Sequence, residues 1–436
     1  MRSEKLKSLL YLLRWIVIAL SAALVGTGLV RIFTLLLDRM QSGLHEISRM
    51  QGIPLPLWAG LGALVTTELI YRFAPLSSGE GIPAYIHAVR DDQGRLPLRA
   101  TLSKFASALM TLGTFGIGGI VGPLGRVSAG LMSRLALVIH GGRAGKESRT
   151  AATCGMAAVV GAVFHSSIGG GIFAIEIIQR SSMHYRDLFP AIIASSGAVF
   201  LARSLGFAPF YPLPEIDAFM GPWGLPVVLA VGIVGGAAGL LFNTVYAFLS
   251  RRIRHNPRIS LRLKAIVGTS VTVSVAWLVQ PELLGSSREL VRKLMFEPTA
   301  LTLNSSGALP LALICIVLLV IKSWGTSLTV GTGMSAGFVG PVVIIGMLLA
   351  CAFCDLIGIP LISPLYYAAL AAGFASTLAS VMNVPIAAAI ISLEIFGIHY
   401  GLPAALAAII GFQINRSRTI YDLFPASAPE SGPIVD

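Results

Sequence analysis

Three short stretches of this chain set glycine just ahead of a proline: Gly79-Glu80-Gly81-Ile82-Pro83, Gly119-Ile120-Val121-Gly122-Pro123 and Gly337-Phe338-Val339-Gly340-Pro341. Proline suits the first helical turn, where its fixed φ fits and its missing N–H is not needed, and glycine frees the backbone before it. Each stretch therefore reads as the start of a helix. A helix start presents unpaired N–H groups and the positive end of the helix dipole, which together attract anions. Several starts aimed at one point would hold a small anion without a full lysine or arginine charge, from which it would not leave quickly. Glu80 complicates this chemistry by placing a carboxylate in the first loop.

Other chemistry-bearing residues carry weaker patterns. Ser128 and Ser335 lie near glycines, but no His or Asp stands at helical spacing to either, and neither HExxH nor GxSxG occurs. The chain is therefore not read as an enzyme. Cys351 and Cys354 form a CxxC inside an apolar run without a nearby histidine, which reads as packing rather than a metal or redox pair. No cofactor or metal is expected. His165 ends an apolar run and reads as a hydrogen-bonded packing residue. His184 and His399 carry no pattern. Glu176 and Glu394 sit near the ends of apolar helices and read as helix-end residues bonded to neighbouring loops.

The elements around these residues are membrane elements. Of the 436 residues, 55% are hydrophobic and only 12% charged, about half the roughly 25% charge of a soluble domain. Residues 15–30, 55–67, 151–175, 222–250 and 309–321 contain no Asp, Glu, Lys or Arg, and about 20 mainly apolar residues span a bilayer. Several runs are interrupted among the 47 Gly and 24 Pro, the pattern of broken helices around a mid-membrane site. The net charge of +12 comes in clusters between apolar runs: Arg2, Lys5, Lys7 and Arg14; Arg143, Lys146 and Arg149; Arg251 to Lys264. That distribution argues against nucleic acid and places the clusters, with the N-terminus, in the cytoplasm, where anionic lipid is a compatible partner. The first apolar run is too long for a cleavable signal peptide, and no soluble domain is expected.

The chain also repeats. The second and third Gly-Pro stretches lie 218 residues apart, and at the same offset Ser167-Ile168 and Ile175-Glu176-Ile177 meet Pro385-Ile386 and Leu393-Glu394-Ile395. Two blocks at one offset indicate two membrane repeats with the site between them. The expected division is a cytoplasmic segment 1–14, a first repeat 15–208, a linker 209–224, a second repeat 225–424 and a Pro/Ser-rich tail 425–436.

From about Leu12 to Phe424, the chain resembles the CLC family of chloride channels and transporters. The family motifs GSGIP, GREGP and GxFxP correspond to Gly79–Pro83, Gly119–Pro123 and Gly337–Pro341, the third with its aromatic one place early. A pore tyrosine corresponds to Tyr421, and Lys104 also has a family counterpart. The resemblance implies an all-α polytopic inverted-repeat bundle with intramembrane broken helices. It also implies an antiparallel homodimer with one pore per subunit. The implied anion site comprises Gly79, Glu80, Gly81, Ile82, Val121, Gly122, Phe338, Val339 and Tyr421.

The departures from that pattern bear on mechanism. The family's gating glutamate corresponds to Val121, and the inner proton glutamate of exchangers to Ile177. Where the first motif offers a serine hydroxyl to the anion, this chain has Glu80. Three arrangements follow: a neutral Glu80 that donates to the anion; a tethered anion that fills the site, gates it or carries protons; or a carboxylate turned away onto a base, for which Arg126 is the nearest candidate. The expected function is small-anion transport, chloride by family default, channel-like or uncoupled, in a bacterial inner membrane. The alternatives are proton-coupled antiport through Glu80, transport of another ion, or a non-transporting receptor or scaffold.

Overall fold

A computed structural model describes residues 2–139, 145–178, 185–212, 218–222, 224–254, 259–304 and 309–424. Among the described residues there are sixteen α-helices and no β-strand. The first half contains α1 (Arg2–Gln51), α2 (Leu55–Phe73), α3 (Ile82–Asp91), α4 (Leu98–Gly113), α5 (Val121–Ile139), α6 (Gly145–Phe164), α7 (Ser167–Glu176) and α8 (Tyr185–Ser204). The second contains α9 (Gly224–Arg254), α10 (Leu261–Val279), α11 (Arg288–Phe296), α12 (Leu311–Gly331), α13 (Val339–Leu356), α14 (Pro364–Met382), α15 (Pro385–Phe396) and α16 (Gly401–Ile414). Helix α1 runs without a break across residue 14. His184 and the tail 425–436 lie outside the described residues, as do residues 213–217 and 223 of the expected linker.

The halves are related by a pseudo-two-fold axis, and reciprocal contacts mark it. Gly119 N–H donates to Gly337 O, and Gly337 N–H donates back to Gly119 O, both at 2.7 Å. Gly79 N–H bonds Gly333 O at 3.1 Å, and in the other half Gly285 N–H bonds Phe115 O at 3.3 Å. Glu176, at the end of α7, accepts from Ile386 and Ala387 N–H at the start of α15 (3.1 and 2.7 Å). Glu394, in α15, accepts from Ser167, Ile168 and Gly169 N–H at the start of α7 (3.0, 3.1 and 3.0 Å) and from the Ser166 hydroxyl. Both glutamates thus cap a helix start of the opposite repeat, satisfying donors that a helix cannot satisfy internally.

The local sequence explains the breaks. The uncharged run 151–175 divides into α6 and α7 at His165, whose φ is +52°; its repeat counterpart Asn383, between α14 and α15, has φ +62°. Histidine and asparagine are among the few non-glycine residues that adopt this left-handed conformation. Small residues then let the helices close up. A Cβ on Gly346 of α13 would lie 2.7 Å from the carbonyl carbon of Gly373 in α14, so the two backbones touch. Ser376 and Ser380 of α14 donate to Gly232 and Gly236 carbonyls of α9 at 2.6 and 2.8 Å. This is the small-residue packing of membrane bundles.

Among the described residues, six helices are long and apolar enough to cross a membrane, and the apolar window of α14 is 94% buried within the protein. Leu57, Leu61 and Leu64 of α2, Val267, Val271 and Leu278 of α10, and Leu313, Ile316 and Val320 of α12 instead face outward. Such exposed apolar faces suit lipid and not water. The chain is an all-helical integral membrane protein built from two inverted repeats, and the axis relating them passes between the starts of α5 and α13.

Candidate functional site

At that axis, three helix starts meet on one side chain. Glu80 sits between Gly79 (φ +71°) and Gly81 (φ +113°), conformations that a residue with a Cβ adopts only with strain. The turn they permit folds the carboxylate back onto its own helix: Oε2 accepts from Ile82 N–H of α3 at 2.7 Å. Oε1 accepts from Phe338 N–H, at the start of α13, at 3.3 Å. The third start, that of α5, closes on the same group, because a Cβ on Gly122 would lie 2.8 Å from Glu80 Cδ. Glu80 is wholly buried. Its carboxylate therefore lies where the N–H groups and positive dipole ends of α3, α5 and α13 converge, which is the environment such starts offer an anion.

Lys104, in the middle of α4 and also wholly buried, holds the loop. Its ammonium donates to Ser77 O at 3.1 Å and to Gly79 O. The second repeat has the same device: buried Lys322 of α12 donates to Leu283 O at 3.3 Å and to the Ser287 hydroxyl. These lysines hydrogen-bond the loops that precede the helix starts and do not occupy the helix starts themselves.

Around this point, Val121 begins α5 and is buried, so the position holds an apolar side chain with no proton to exchange. Val339 begins α13 directly after Phe338. Ile177 caps the end of α7 and is buried. Tyr421 lies in a 3-10 turn, Ile420–Leu423, in which the Thr419 hydroxyl accepts from Tyr421 N–H at 3.2 Å and the Asp422 carboxylate accepts from Thr419 N–H at 2.9 Å. Its hydroxyl has no hydrogen-bond partner among the described residues, and Glu80 is its electrostatic neighbour.

The residues predicted from the sequence thus divide. Gly79, Glu80, Gly81, Ile82, Gly122 and Phe338 form one contact group, and Tyr421 faces it. Arg126 is not Glu80's partner, since both carboxylate oxygens are taken by backbone N–H groups and Arg126 Nε and Nη1 are buried without a partner among the described residues. Sequence reasoning passed over two features. An aromatic wall surrounds Phe338, with Tyr246 and Phe242 ring centroids 4.9 and 5.8 Å away; Phe424 completes it and lies 3.7 Å from where a Gly79 Cβ would be. Tyr211, buried with a hydroxyl that has no partner among the described residues, lies 3.8 Å from the position of a Gly340 Cβ. It falls in the stretch read only as a linker, and it has no motif to mark it.

An open cavity of about 1060 Å³ lies beside the start of α5, with Ile120, Phe115, Gln41, Ser286, Arg288 and Glu282 in its wall. Ile120 immediately precedes α5.

Inverted membrane repeats whose broken helices aim their N-termini at one buried point are an architecture of membrane transport proteins. Residues 61–416 match the family described as voltage gated chloride channel, and the chain belongs to that family, the CLC proteins. It is 26% identical over 443 residues to a chloride/fluoride channel protein of Pseudomonas syringae pv. tomato, covering 96% of this chain and 88% of that protein. Among solved structures it resembles a CLC-type fluoride/proton antiporter (TM-score 0.77, 22% identity, 94% of this chain and 96% of that one). It also resembles a slow cyanobacterial Cl-/H+ antiporter (TM-score 0.79, 18% identity, again 94% and 96%). At these identities, the two structures establish the fold.

Proposed function

We propose that this protein carries a small monovalent anion, chloride by family default, across the membrane, and that Glu80 gates the pathway from inside the site. The observation that carries the reading is the position of the Glu80 carboxylate, on the N–H groups of Ile82 and Phe338 and against Gly122. A tethered carboxylate on these donors competes with a free anion for the same helix starts, so conduction requires it to leave or to be displaced. Val121 and Ile177 stand where exchangers of this family carry proton-transferring glutamates, which favours an uncoupled pathway. The protein would act as a homodimer with one pathway per subunit, in a bacterial inner membrane with its N-terminus in the cytoplasm.

A second reading is favoured by the same position. A carboxylate that occupies the anion site and then vacates it on protonation is also a proton carrier, so Glu80 could couple anion and proton movement. The relatives, a chloride/fluoride channel protein and fluoride/proton and Cl-/H+ antiporters, span both readings and leave fluoride as an alternative substrate. Simultaneous chloride and proton flux from loaded liposomes tests them, with wild type, Glu80→Ser and Glu80→Gln compared. Chloride flux without proton movement supports the uncoupled pathway. Proton flux abolished in Glu80→Gln supports the coupled one. No chloride or fluoride flux in any variant overturns anion transport.

A further inference from the structure

Arginines from three helices meet where α2 ends and α4 and α10 begin. Arg72 lies in the last turn of α2, Arg99 in the first turn of α4 and Arg262 in the first turn of α10. Arg99 Nη2 donates to Arg72 O at 3.3 Å. Glu68 of α2 pairs with Arg72 at 2.7 Å and with Arg262 at 3.2 Å. The Arg262 guanidinium also lies over the Tyr71 ring, 5.3 Å from its centroid, which holds it at the seam between α2 and α10. The side chains of Arg72 and Arg262 are nevertheless 75% and 50% exposed, and Arg99 is exposed.

Three guanidinium groups thus share one carboxylate. No other acid lies nearby in sequence on α4 or α10: none occurs between Asp92 and Glu147, or between Asp217 and Glu282. In water such a surplus needs no partner. What gives it one is the surface it adjoins. Leu64 and Val65 of α2, Leu98 and Leu102 of α4, and Val267 and Val271 of α10 are exposed on the same three helices. A positive head above apolar rows is matched by a molecule with an anionic head and apolar tails.

We infer that this junction binds an anionic phospholipid, its phosphodiester on Arg72, Arg99 and Arg262 and its acyl chains along α2, α4 and α10. Arginine forks suit phosphate oxygens better than a lysine point charge does. The first turn of α4 has no side-chain cap, so its backbone N–H groups add donors beside Arg99. The positive-inside rule puts this end of the helices in the cytoplasm, and the cytoplasmic leaflet supplies anionic lipid. The bound head joins the two helices that support the Glu80 loop, since α2 leads into that loop and Lys104 of α4 bonds Ser77 and Gly79. The inference does not depend on which ion the protein carries.

The test titrates lipid into the full-length protein in detergent and follows the thermal unfolding midpoint, which a ligand of the folded state raises. Phosphatidylglycerol should raise it, and phosphatidylcholine with the same chains should not. Arg72→Gln/Arg262→Gln should bind phosphatidylglycerol about thirtyfold more weakly, two basic residues at about 1 kcal/mol each. Arg416→Gln/Arg418→Gln, which removes two exposed charges in the turn after α16, should bind it as wild type does. Glu68→Gln removes the competing carboxylate and should bind about fivefold more tightly. Equal midpoints with the two lipids, or equal weakening in both arginine pairs, overturns the site. So does an equal shift with glycerol 3-phosphate, which would make it a site for soluble phosphate. If Arg72→Gln/Arg262→Gln does not fold, Glu68→Gln decides, and unchanged or weaker binding there overturns the inference.

Discussion

Glu80 of the first repeat accepts a 3.3 Å hydrogen bond from the Phe338 N–H of the second, so one side chain closes the gap between the two halves at their shared axis. Because its other oxygen is held by Ile82 N–H at 2.7 Å, the carboxylate is fixed by donors that a conducted anion would also need. Everything expected of the pathway depends on how this group leaves them.

The first prediction concerns its removal. Glu80→Ser takes away the tethered competitor and leaves a hydroxyl able to donate to an anion. Chloride flux per protein from reconstituted liposomes should rise by about tenfold, the response to roughly 1.4 kcal/mol of lost competition. A Glu80→Ser flux at or below that of wild type, with the protein intact by gel filtration, would mean that Glu80 supports the pathway and does not obstruct it.

Val121→Glu tests whether residue 121 faces the pathway. The new carboxylate would stand at the first residue of α5, close to Glu80, and two like charges in one dry site cannot both ionise easily. Ionised, the added group binds the helix starts and blocks; protonated, it releases them. Flux through Val121→Glu should therefore fall as pH rises and recover as pH falls, with a steeper dependence than in wild type. Matched flux assays at several pH values measure the difference. A profile superimposable on that of wild type would show that residue 121 does not face the pathway.

How much of this was legible in the sequence depended on the range of the interaction. The starts of α3, α5 and α13 could be read because glycine and proline act on their own backbone, and the helices begin at Ile82, Val121 and Val339. The pseudo-two-fold relation could be read because it leaves identical spacing in both halves, and the 218-residue offset that pairs Gly119 with Gly337 also pairs Lys104 with Lys322 and His165 with Asn383. The arrangement of Glu80 stayed open among three alternatives, because its deciding partner, Phe338, is 258 residues away. Helical spacing placed Arg126 on the correct face of α5 but could not say how far it lay from Glu80, and the expected pair does not form. Glu176 and Glu394 were read as bonded to loops; they bond helix starts in the opposite repeat, a reciprocity that only the packed structure displays.

Those reciprocal caps yield a stability prediction. Glu394 accepts three backbone N–H bonds and one hydroxyl, and Glu176 accepts two N–H bonds. Truncation leaves the donors at the start of a helix unsatisfied, at about 1–3 kcal/mol for each group that stays buried. Glu394→Ala should lower the thermal unfolding midpoint in detergent by more than Glu176→Ala, since it orphans more donors. Equal effects, or a larger one for Glu176→Ala, would mean that solvent or lipid headgroups satisfy the start of α7 once the glutamate is gone.

The last prediction couples two positions. A Cβ on Gly122 would lie 2.8 Å from Glu80 Cδ, closer than two carbons can approach without displacement. Gly122→Ala alone should therefore push the carboxylate off the Ile82 and Phe338 donors, destabilise the protein and change its flux. In a Glu80→Ser background the side chain it collides with is shorter, so the same substitution should cost less. The difference between the two effects is an interaction energy, expected at about 0.5–3 kcal/mol for residues in direct contact. Thermal unfolding of wild type, both single variants and the double variant measures it. An additive outcome, with Gly122→Ala costing the same in both backgrounds, would place the Glu80 carboxylate away from the start of α5 and remove the third helix from the site.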